Sequence, residues 1–169
     1  MADISFWLDY YDDIYSDFDP RKYHKRRLSE DLLDELKVAL KNQQEKIDTL
    51  VLMLPKEQRK EDIEPEIIAN LSAQFRGRFE ICAKKERRIL RRGIMLVLSG
   101  AIFMYVFSEI SLKQYNHQLM VMLRIIIEPG AWFMIWTGLD ALFYHYLASK
   151  KETDFYKTLA GLKVRFENI

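Results

Sequence analysis

Three groups of side chains in this chain have types and spacings suited to chemistry. Residues 21–27 read RKYHKRR, five cations around Tyr23 and His24. Residues 84–92 read KKERRILRR, six more cations on what reads as helix. Asp140 stands as an acid within a long apolar stretch. Cations interleaved with aromatic rings hold phosphates and stack bases. Arg21, Lys22, Tyr23, Lys25, Arg26 and Arg27 are therefore a candidate site for a nucleotide or oligonucleotide, although a solvated basic loop reads the same way. Arg88, Arg91 and Arg92 are candidates for the same anionic ligand. The plainer reading of residues 84–92 is membrane topology with contact to anionic lipid, at about 1 kcal/mol per basic residue near the surface.

Other chemistries find little footing. Asp12, Asp13, Asp17 and Asp19 fit no calcium-loop spacing, and aspartate is common in turns. His24, His117 and His145 lie far apart in sequence, so no histidine metal site is expected. No phosphate-binding glycine loop, H-E-x-x-H or G-x-S-x-G occurs, and the lone Cys82 has no neighbouring histidine. No enzyme activity, cofactor or metal is expected. A single cysteine also excludes an internal disulfide and suits a reducing cytoplasm.

The elements that position these residues begin with two apolar runs. Residues 93–110 carry no charge until Glu109, and residues 118–147 form a second run followed by Lys150 and Lys151. About 18–20 apolar residues suffice to cross a hydrocarbon core. Lys and Arg concentrate outside both far ends, whereas the link SLKQYNHQ holds one Lys, which places the charged flanks on the cytoplasmic side. The expectation is a two-pass hairpin in the inner, cytoplasmic membrane with both termini cytoplasmic. The acidic start MADISFWLDYYDD lacks a signal-peptide pattern. Mean hydropathy is −0.20 and 30% of residues are charged, so most of the chain is expected outside the bilayer. The net charge of +1 sums segregated patches and says little about partners.

Within the first run Gly93, Gly100 and Ala101, with Val97 and Ser99, fall largely on one face. Small residues permit close helix approach in lipid, so this is a candidate packing face, within the hairpin or between subunits. The second run would make a helix of about 45 Å against a core of about 30 Å. Residues before a proline avoid helical geometry, so Glu128, Pro129 and Gly130 are expected to divide it. Residues 118–128 then form a re-entrant or interfacial segment, and the span proper runs to about Leu147. Arg124 and Glu128 can pair at i, i+4, and Glu128 can otherwise cap the helix that follows. Thr137, Asp140 and Tyr144 share a face at i, i+3, i+7. A carboxylate inside a bilayer costs roughly 2.5–3.5 kcal/mol, which makes these three candidate pore-lining residues. The alternatives are that Asp140 snorkels, stays protonated or pairs with a base near the inner leaflet.

Outside the apolar runs, residues 4–11 read as a strand, 12–21 as a turn-rich loop and 48–54 as a buried strand closed by Pro55. A helix is expected from Ser29 to about Gln44. Another starts near Pro65, with a stripe of Ile67, Ile68, Leu71, Phe75 and Phe79, and runs without a breaker into the first span. Gly77 weakens it by about 1 kcal/mol. Alternating residues in 158–169 predict a terminal strand that pairs with one of the first two. The fold class expected is an α+β membrane protein, a two-helix transmembrane hairpin inserted in a small cytoplasmic α+β domain. Its order is strand, helix, strand, helix, two spans, strand. The boundaries are 1–92 for the cytoplasmic domain with its basic helix, 93–147 for the hairpin, and 148–169 for the completing strand.

Residues 16–21, SDFDPR, with Leu28, Ser29, Glu30 and Asp31 opening a helix, resemble a family of small prokaryotic two-pass membrane proteins. Residues 127–133, IEPGAWF, with Gly138, Leu139 and Asp140, are similar to that family's second span. The organisation also resembles the membrane effector of Hailong-type anti-phage defence. That resemblance implies a cytoplasmic domain on an oligomeric channel, controlled by a short oligonucleotide from a partner nucleotidyltransferase. It assigns no individual site residues. The function expected is a homo-oligomeric channel or membrane-disrupting effector gated by an anionic nucleotide or oligonucleotide. The rival is a non-conducting membrane-anchored scaffold for a cytoplasmic partner.

Overall fold

The computed structural model describes residues 2–42, 47–112 and 118–168; the link at 113–117, with His117, lies outside them. The chain is mostly helical, with a small three-stranded parallel sheet. It divides into two units, one of Met1–Ile81 with Thr153–Ile169 and one of Cys82–Glu152. The basic stretch 84–92 therefore groups with the apolar helices, whereas the sequence boundaries placed it with the N-terminal domain.

In the first unit, β1 (Ala2–Trp7), β2 (Ile47–Leu54) and β3 (Lys163–Asn168) lie in the order β1-β2-β3, all parallel. The terminal strand pairs with β2, Leu50 opposite Val164 and Leu52 opposite Phe166. Side chains alternate between sheet faces. Ile4, Leu50, Leu52, Leu54 and Phe166 join the core with Leu33 and Leu36 of α1 (Glu30–Asn42), Ile67, Leu71 and Phe75 of α2 (Glu64–Leu112), and Leu159 of α4 (Leu147–Gly161). Asp3, Ser5, Trp7, Lys163, Arg165 and Glu167 are exposed on the alternate positions. Arg165 reaches across β2 to Asp3 at 2.9 Å.

Two strand boundaries differ from the sequence reading. β1 stops at Trp7 because the Asp13 carboxylate accepts the backbone N–H groups of Asp9 and Tyr10, each at 2.9 Å, and draws the chain into a 3-10 turn at Tyr11–Ile14. β3 begins only at Lys163, since α4 continues to Gly161 and buries Leu159 in the core. The start of α2 is pinned by Glu64. Its carboxylate accepts Arg59 in a forked pair at 2.6 and 3.0 Å and the Tyr11 hydroxyl at 3.0 Å.

α2 passes Gly77 within the first unit and continues in the second through the basic stretch to Leu112, and α3 spans Gln118–Asp140. The expected break at Glu128, Pro129 and Gly130 is absent, and α3 passes straight through Pro129. A proline forfeits one backbone hydrogen bond. The other backbone bonds of α3 keep the helix continuous past that single loss. Ala141–Tyr146 then adopt π-helical geometry before α4. Two helical stretches, Glu64–Glu109 and Met122–Gly161, are long and apolar enough to cross a membrane, and only 11% of the apolar core of either is buried.

The helices α2 and α3 meet backbone to backbone. A Cβ built on Gly138 would lie 2.7 Å from Val97 Cγ2 and 2.8 Å from the Gly93 carbonyl; one on Gly100 would lie 2.8 Å from the Ala131 carbonyl. Gly130 has nothing within 4 Å. Gly138→Val is expected to destabilise the hairpin by about 1–3 kcal/mol, read as a lowered unfolding midpoint in mild detergent, while Gly130→Ala leaves that midpoint in place.

Candidate functional site

The basic segment 21–27 is held by a buried acid rather than left to solvent. Asp19 is 3% exposed. Its carboxylate accepts Arg21 Nε at 2.8 Å and Nη2 at 2.7 Å, and the backbone N–H of Arg27 at 2.8 Å. The bidentate Arg21 guanidinium, with the Arg27 amide, holds that carboxyl well below the usual carboxylate range. Arg26 pairs with Asp12 at 2.5 Å and lies over the Tyr15 ring, 5.7 Å from its centroid. Tyr23 is half-buried against the same ring at 5.5 Å.

The α2 helix supplies the polar staples. Gln74 Nε2 donates to the Arg26 carbonyl at 2.7 Å, and its Oε1 accepts the Leu28 amide at 3.3 Å. Asn70 Nδ2 donates to the carbonyls of Tyr23 and Arg26. Tyr15 is enclosed beneath them, and burial pushes its hydroxyl up to about 12, so the phenol stays neutral. The role of Asn70 and Gln74 was not anticipated in sequence, because nothing in their spacing marks contacts more than 40 residues away. Asp19 within SDFDPR was visible only as turn chemistry.

The ligand chemistry left over is narrow. A shallow pocket of about 350 Å³ is lined by Arg21, Lys22, Tyr23 and Arg26, but also by Asp12 and Glu66. Glu66 also holds His24 at 2.8 Å. Among the described residues Lys22 and Lys25 have no acidic partner, while Arg21, Arg26 and Arg27 each face Asp19 or Asp12. Arg88, Arg91 and Arg92 belong to the other unit, exposed, and likewise without an acidic partner among the described residues. The nine candidate ligand residues thus form two groups.

In the hairpin unit, Gly93 and Gly100 meet α3, whereas Ala101 is exposed. Ser99 is satisfied within its own helix, donating to the Met95 carbonyl at 2.6 Å. Arg124 pairs with Glu128 at 3.3 Å. Thr137 is half-buried; Asp140 and Tyr144 are exposed. The antiparallel contacts Gly93/Gly138 and Gly100/Ala131 place Asp140 level with Arg91 and Arg92, at the charged end of the apolar run. Asp140 pairs with His145 at 3.3 Å, a partner five residues on that α-helical spacing does not bring to the same face. Gly138 is a packing residue that sequence reading left unassigned.

Among the described residues no cluster of three or more His, Cys, Asp or Glu could hold a metal ion. Comparison with protein-family models, curated proteins and solved structures returns no match.

Because the folded state holds Asp19 below its ordinary value of 3.8, the unfolded chain binds its proton first on acidification. The stability Asp19 contributes is full above that value and is lost as pH falls below it. Denaturant midpoints measured against pH should drop in acid more steeply for the wild type than for Asp19→Asn, and the variant should be less stable at neutral pH.

Proposed function

We propose that this chain is the subunit of a homo-oligomeric channel, or membrane-permeabilising effector, of the cytoplasmic membrane. The observation that carries the reading is the Asp140–His145 pair, exposed on a helix whose neighbouring surface is apolar. Ionisable groups on membrane helices face protein or water rather than acyl chains. A second copy presenting the same face supplies both, by enclosing a polar path. Thr137, Asp140 and Tyr144 would line that path, with Asp140 at its cytoplasmic mouth. The helices span the membrane twice, and the sheet unit lies in the cytoplasm with both termini.

The gating signal in this reading is anionic, a nucleotide or short oligonucleotide. Lys22 and Lys25 on one unit and Arg88, Arg91 and Arg92 on the other leave cationic groups available for phosphates. The resemblance to a Hailong-type effector favours an oligonucleotide made by a partner nucleotidyltransferase. Bound phosphate would favour one gate state by its differential affinity for the two.

A scaffold reading draws on a different observation: Phe18 is 94% and Trp7 69% exposed on the sheet unit, aromatic anchors of the kind that recruit partners. Purified protein in liposomes separates the two readings. The channel should release ions above the empty-vesicle level, with short oligonucleotides shifting the rate, and Asp140→Ala or Thr137→Leu should return release toward background. Wild-type release indistinguishable from empty vesicles would leave the scaffold.

A further inference from the structure

Five residues along an α-helix point about 140° apart and do not meet. In the π-helical stretch Ala141–Tyr146 the repeat widens to i→i+5, and Asp140 and His145 close to 3.3 Å. Their side chains are 57% and 68% exposed, while Gly138 and Leu142 on the same stretch lie against Gly93 of α2. The widened turn therefore turns a carboxylate and an imidazole together onto the surface that α2 does not cover.

We propose that Asp140 and His145 form a proton-binding site that regulates conduction; the inference rests on the channel reading and adds His145 to it. Histidine is the side chain that changes charge between about pH 5 and 8. With the imidazole protonated, its N–H⁺ donates to the carboxylate and the pair carries no net charge. When that proton leaves to solvent, each subunit presents one negative charge. Copies arranged around an axis then form an acidic ring that attracts cations and repels its own members, and both effects cancel on protonation. On α2, the helix packed against this stretch, Glu86, Arg87, Arg88, Arg91 and Arg92 are the charged groups at the same level. The guanidinium groups keep their charge throughout this range, and none of these five pairs with Asp140 or His145. On the pair's own helix Tyr144 and Tyr146 flank His145, and Lys150 and Lys151 follow.

The test is potassium flux through the full-length protein in liposomes at about pH 5.5 and about pH 8. Wild-type flux should be several-fold higher at the higher pH. His145→Gln should give equal flux at both. His145→Lys, with a constant positive charge beside Asp140, should stay at the low level throughout. His24→Gln, whose imidazole instead pairs with Glu66, should behave as wild type. Equal wild-type flux at both pH values, or a pH dependence that survives in His145→Gln and His145→Lys, overturns the proposal while leaving a channel. Absence of wild-type flux at every pH removes the channel reading and this inference with it.

Discussion

The close approach of α2 and α3 sets the geometry of everything in the hairpin unit. Gly138 lies on the turn between Gly93 and Val97, and Gly100 lies on the Ala131 carbonyl, so two backbones touch where side chains would ordinarily intervene. Van der Waals contact between small residues at these points fixes the register of the two helices. That register puts Asp140 at the level of Arg91 and Arg92. It also spends the small-residue face of α2 on the hairpin itself, leaving Ala101 and the larger apolar residues such as Ile102 and Phe103 on the outside.

Much of the architecture could be read from residue order because local pattern and tertiary need agree there. The apolar run of β2 is buried along most of its length, and the stripe at Ile67, Leu71 and Phe75 lies fully in the core. Gly77 does not interrupt α2, since a penalty of about 1 kcal/mol is small beside the tertiary burial of the residues that flank it. The exceptions share a cause. The end of β1 is set by a carboxylate six residues further on, and Pro129 lies within α3 instead of dividing it. The Asp140–His145 contact depends on one widened turn, which shifts every later residue relative to a 3.6 repeat.

Charge density in sequence does not show which cations are already engaged. Residues 21–27 carry five cations, yet Asp19 and Asp12 engage the three arginines, and Glu66 engages His24. Asn70 and Gln74 secure the loop through its carbonyl groups, which any sequence would present. The segment is therefore built as a fixed part of the sheet unit. Arg88, Arg91 and Arg92, like Lys22 and Lys25, have no acidic partner among the described residues.

The sheet places its middle strand between one neighbour made before the helical hairpin and one made after it. During synthesis, β2 has only β1 beside it until more than a hundred further residues have left the ribosome. Its other edge, with unpaired amide and carbonyl groups, is open for that whole interval. Synthesis of the helical hairpin and closure of the sheet are thus ordered in time, and a chain stalled between them carries a half-built sheet with one open edge.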